Sequence, residues 1–98
     1  MRADYDSQGD TIQLDLEPVS RLDRGEEIHP DAIVHLVDER PVSIDVLNAS
    51  RDLEAPLRAV AERYGLDLET LIAAARSALA APDREVELHV AQRSRTSS

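Results

Sequence analysis

Val42-Ser43-Ile44-Asp45-Val46-Leu47-Asn48-Ala49-Ser50-Arg51-Asp52-Leu53-Glu54-Ala55-Pro56-Leu57-Arg58-Ala59-Val60-Ala61 is the stretch in which the hydrophobic period of this chain changes. Up to Leu47 apolar residues recur every second position, as in a strand with one buried face. From Leu53 they recur at three and four, as on one face of a helix. Strands followed by helices in one short chain predict an α+β fold. At 98 residues there is room for a single core rather than two.

Upstream, Thr11-Ile12-Gln13-Leu14-Asp15-Leu16-Glu17 alternates most cleanly, placing Ile12, Leu14 and Leu16 on one face and the polar residues on the other. Arg2 to Tyr5 reads as a short strand, turned back by Asp6-Ser7-Gln8-Gly9-Asp10. Ala32 to Val37 is apolar on both faces, as a covered central strand would be. Asp38-Glu39-Arg40-Pro41 joins it to the strand beginning at Val42, with Pro41 tolerable at a strand start. Val19 to Pro30 is polar, with a strand near Ser20 to Leu22 and loop beyond it.

Downstream, Asp52 can cap a first helix carrying Pro56 in its opening turn, with Leu53, Leu57, Val60, Ala61 and Tyr64 as its buried stripe. Gly65 is the expected left-handed residue after it. A second helix follows from the N-cap Asp67, burying Leu71, Ile72, Ala75 and Leu79 before Pro82. Residues 84–90 alternate again as a last strand, and 93–98 have nothing to bury and read as a disordered tail. The expectation is a single domain over 1–92. It has a mainly antiparallel sheet of four or five strands, with the 51–81 helical hairpin packed on one face and the other face acidic and open.

Asp4-Tyr5-Asp6, Gly9-Asp10-Thr11-Ile12 and Val42-Ser43-Ile44-Asp45-Val46-Leu47-Asn48-Ala49-Ser50 together resemble the bacterial domain-of-unknown-function 2283 family over residues 2–50. The resemblance implies a small antiparallel β module and carries no established activity. Ser43 stands where that family usually has glycine, Asp45 where it has glutamate, and Val37-Asp38 where it has an aspartate pair. The helical hairpin and the last strand form an extension beyond it.

Composition narrows the function classes. The net charge is −9, and the first fifty residues hold 4 Arg against 12 acids. Such a body repels phosphate backbones and anionic lipid heads, which disfavours nucleic-acid and membrane partners. Absence of cysteine removes thiolate metal sites and cysteine nucleophiles. With no signal-like or membrane-spanning run, the expected location is the cytoplasm.

Each candidate for chemistry has a plainer alternative. The 56–80 hairpin has helix-turn-helix spacing (Ala61, Gly65, Leu71), but the tip of its second helix is Asp67-Leu68-Glu69-Thr70, and Arg76 is the only base on that helix. A helical lid on the sheet is the favoured reading. His35 and His89, with Asp45 or Glu87 as a third ligand, are the histidine candidates for a metal site, without any H-E-x-x-H spacing. Asp4, Asp6, Asp10, Asp15 and Asp45 read as a solvated acidic face. No serine sits in a nucleophile elbow, so no catalytic residue and no cofactor are assigned. The sequence therefore favours a non-enzymatic interaction or regulatory module, homodimeric, with an acidic face suited to a basic protein partner. A DNA-binding regulator and a metal-dependent enzyme are the alternatives.

Overall fold

The computed structural model describes residues 1–18 and 20–88. Strands β1 (Arg2–Asp6), β2 (Thr11–Asp15), β3 (Arg24–His29), β4 (Ala32–Val37) and β5 (Arg40–Leu47) precede helices α1 (Glu54–Tyr64) and α2 (Leu68–Leu79), and β6 (Glu85–Glu87) follows them. All neighbours pair antiparallel in the order β3-β4-β5-β2-β1-β6. The fold is thus α+β with six strands rather than four or five. No described helix is long and apolar enough to cross a membrane.

Alternation decides which face is covered. Ala3, Ile12, Leu14, Ala32, Val34, Leu36, Ile44 and Val46 form one apolar surface with Leu57, Val60, Leu71, Ala74, Ala75 and Ala78. The lid is divided between the helices: α1 lies on β3, β4 and β5, while α2 lies on β1, β2 and β6. Of the expected α1 stripe, Leu57, Val60 and Ala61 are buried, while Leu53 and Tyr64 are only partly covered. The expected α2 stripe is corrected. Ala74 and Ala78 are buried with Leu71 and Ala75, whereas Ile72 and Leu79 are only partly covered. Small residues on the inner face let α2 approach the sheet closely, which turns the larger ones outward.

The helix ends follow their chemistry. Asp52 Oδ1 accepts from the amides of Glu54 (3.0 Å) and Ala55 (3.3 Å), one residue ahead of the geometric cap Leu53. Gly65 adopts φ 68°, and the amides of Gly65 and Leu66 return to the Ala61 carbonyl. Asp67 caps α2 through the Thr70 amide (3.3 Å).

Two segments depart from expectation. Residues 20–22 form no strand, and β3 begins at Arg24. The segment before β3 crosses the sheet end, with the Leu16 amide donating to Val42 O (2.8 Å) and the Asp23 amide to Leu36 O (2.9 Å). Val37 and Val42, buried yet outside the main core cluster, share a small cavity of about 140 Å3 with Pro18 and Ser20 of this segment. The apolar character of both faces of β4 is therefore explained in part within the chain. Pro41 lies inside β5 at a register shift rather than at the strand start. The predicted strand at 84–90 is observed as Glu85–Glu87, and its members His89 and Val90, like the 93–98 tail, lie outside the described residues.

The β4–β5 turn has no glycine, although Asp38 (φ 52°) and Glu39 (φ 63°) are both left-handed. Side chains hold it instead. The Asp38 amide donates to Asp23 Oδ2 (2.9 Å), and Glu39 Oε1 accepts from Arg24 (2.6 Å).

Candidate functional site

The face away from the helices is built by the odd positions of β4 and β5 and their cross-strand partners. Register places Ile33, Asp45, Gln13, Asp4 and Glu85 in one row across β4, β5, β2, β1 and β6, and His35, Ser43, Asp15, Arg2 and Glu87 in the next. No element of the described chain packs over the middle of this surface.

Its polar groups are tied to one another. His35 Nε2 lies 2.9 Å from Asp45 Oδ2, and because an ionised carboxylate only accepts, that nitrogen carries the proton. The ring lies against Gly25, where a Cβ would stand 3.4 Å from Nδ1, in van der Waals contact with it. Ser43 Oγ donates to Asp15 Oδ1 (3.0 Å), which also accepts from Gln13 Nε2 (2.9 Å).

This arrangement bears on the chemical alternatives. His35 and Ser43 are direct cross-strand partners, yet each gives its proton to a different carboxylate, and the two do not hydrogen-bond to each other. Of the candidate metal ligands, His35 and Asp45 meet as hydrogen-bond partners. However, three strands separate β4 from β6, and His89 lies outside the described residues. Among the described residues no group of three His, Asp or Glu side chains is placed to hold a metal. Arg76 sits in the last turn of α2, away from the helix tip that a DNA reader presents, and that tip carries Asp67 and Glu69.

The electrostatics single out Asp4. Partial burial pushes its carboxyl up from the ordinary value, and the charges of Asp15, Glu85, Asp45 and Asp6 push it further. Other shifted carboxylates move down, each held by a donor: Asp31 by Asn48 and Arg51, Glu26 by Tyr64, Glu17 by Arg40, Asp83 by Ser7. The middle of the open face is thus negative without a compensating cation, Arg2 reaching Glu85 at one edge (3.5 Å).

Asp10 belongs to a different network. It accepts from Tyr5 Oη (2.7 Å) and from the Ser50 amide (2.9 Å) and hydroxyl (2.8 Å), clamping the β1–β2 turn to the loop after β5. Tyr5, Asp10 and Ser50 are all motif residues, and together they shape the fold rather than a reactive centre.

The opposite signs of these shifts predict a pH response. Carboxylates depressed in the folded state stabilise it above their unfolded pKa, near 4, and that stability is lost as pH falls through the lower folded values. Asp4 acts oppositely, its charge opposing folding above its raised pKa. Thermal melts should hold level from neutrality to about pH 4.5 and then fall, and Asp4→Asn should melt slightly higher than wild type at pH 7 but not at pH 3. Equal melts at pH 7 would refute the repulsion assigned to Asp4.

No known family, curated protein or solved structure matches this chain.

Proposed function

We propose that this protein is a non-enzymatic binding module that works as a homodimer and receives a basic protein segment on its open sheet face. The carboxylates gathered around Asp4 carry this reading: burial raises its pKa first, the charges of Asp15, Glu85, Asp45 and Asp6 raise it further, and Arg2 pairs with Glu85 alone among them. Asp45 and Asp4 stand on strands two apart, about 10 Å at ordinary strand spacing, and a polyproline II chain, with three residues per turn, brings every third arginine to the same side at about 9 Å intervals. Complementary charge of this kind sets partner choice and association rate more than raw affinity. The likeness of residues 2–50 to the domain-of-unknown-function 2283 family is proposed alongside and adds no activity.

Titration with a short peptide bearing arginine at every third position, followed by amide shifts in 15N spectra, tests the module. The expected shifts gather on Asp4, Gln13, Asp15, Ser43 and Asp45. They weaken at least about tenfold when salt shortens the Debye length from ~10 to ~3 Å, and they vanish in Asp15→Asn/Asp45→Asn. Shifts confined to the helices, or none at millimolar peptide, would sink the proposal.

A further inference from the structure

The dimer proposed above has no obvious seat on the sheet. Its edges are β3, with Arg24, Glu26 and Glu27, and the three-residue β6, with Glu85 and Glu87, and charges and short length discourage strand addition at both. The open face is negative throughout its middle, so two copies repel there.

The outer side of α2 differs. Glu69, Ile72, Ala73 and Arg76 follow one another at helical spacing on the stripe opposite the buried Leu71, Ala74, Ala75 and Ala78. They border a shallow groove of about 400 Å3, lined also by Leu68 and by the Glu54–Arg58 ion pair of α1. The side chains of Glu69 and Arg76 make no hydrogen bond or ion pair among the described residues. They stand two turns apart, about 10.5 Å along the axis, too far to pair within their own helix. Seven of the other arginines among the described residues do have carboxylate partners.

The pattern is self-complementary. When two α2 helices run antiparallel about a twofold axis between Ile72 and Ala73, Glu69 of each copy faces Arg76 of the other. Each Ile72 then rests on the opposite Ala73, a large residue on a small one. One patch satisfies both copies, as an isologous contact requires. We propose that a second copy of this chain docks on this stripe, α2 against α2, with two Glu69–Arg76 ion pairs flanking an Ile72–Ala73 centre. This assignment rests on the homodimer reading and names its surface. A single helix pair buries less than a standard interface, so the dimer belongs to the weak class and forms at high protein concentration. It would also sequester Arg76 from any nucleic acid.

Sedimentation velocity on the full chain and three variants decides it. Wild type is expected to dimerise at hundreds of micromolar in low salt. Glu69→Arg and Arg76→Glu each set like charges against each other twice, and each should weaken the dimer at least about tenfold. Glu69→Arg/Arg76→Glu restores both pairs with signs exchanged and should recover the dimer. The double swap opposes the helix dipole at both ends, so recovery cannot come from a more stable α2. Single variants that dimerise like wild type would overturn this surface while leaving the homodimer standing. Loss in the singles without recovery in the double variant would overturn it too. A monomeric wild type at every concentration would remove both.

Discussion

Leu57→Ala should lower the unfolding free energy by about 3–4 kcal/mol, the range for truncating a fully buried leucine whose surroundings cannot collapse into the space. Leu57 has no exposed surface and sits where α1 meets β3, β4 and β5, so rigid elements bound the cavity. A domain of this size is stabilised by only about 5–15 kcal/mol. The melting temperature should therefore drop by roughly 12–25 °C. Urea denaturation with unchanged slope and a lower midpoint would show that stability and not cooperativity was lost. A drop of only a few degrees would mean that α1 shifts to fill the hole and is a looser lid than its burial implies.

The second large effect is an insertion. Ala78 is fully buried on the inner side of α2, and Ala78→Leu asks the closest helix–sheet contact to accept three more carbons. Overpacking of this kind costs about 1–3 kcal/mol, and more where the neighbour is backbone. Leu79→Ala, one position away and only partly covered, should cost about 1 kcal/mol or less. Melting the two variants side by side tests the rotation of α2 directly. If Leu79→Ala proved the more damaging, the helix would face the sheet as hydrophobic spacing alone suggests.

That contrast shows what the sequence carries. Alternation in 11–17 and 42–47 and the change of period after Asn48 were enough to find β2, β5 and the two helices, because burial on one side leaves that rhythm. Alanine is silent in such a reading. In α2 every position from Ala73 to Ala75 is alanine, and the larger Ile72 and Leu79 pointed the inferred stripe the wrong way. Strand β3 escaped for a related reason. Arg24-Gly25-Glu26-Glu27-Ile28-His29 is an edge, and the position facing α1 is Glu26, which gains its place by accepting a hydrogen bond from Tyr64 Oη and facing Arg63 at 3.6 Å. A polar contact across the helix interface leaves no hydrophobic period. The open face was legible as a list of acids, and the pairings His35–Asp45 and Ser43–Asp15 required the register of three strands.

The strand order β3-β4-β5-β2-β1-β6 also governs how the chain finds its fold. The β3-β4-β5 meander and the β1-β2 hairpin are each closed by short local connections, and α1 and α2 by Gly65-Leu66-Asp67. Among the strand pairings, the β2–β5 seam and the β1–β6 edge beyond it join residues distant in sequence. A lone hairpin in water is marginal, so β1-β2 does not persist until the seam closes beneath the helices. The barrier to folding accordingly lies in closing one long loop rather than in building any one element.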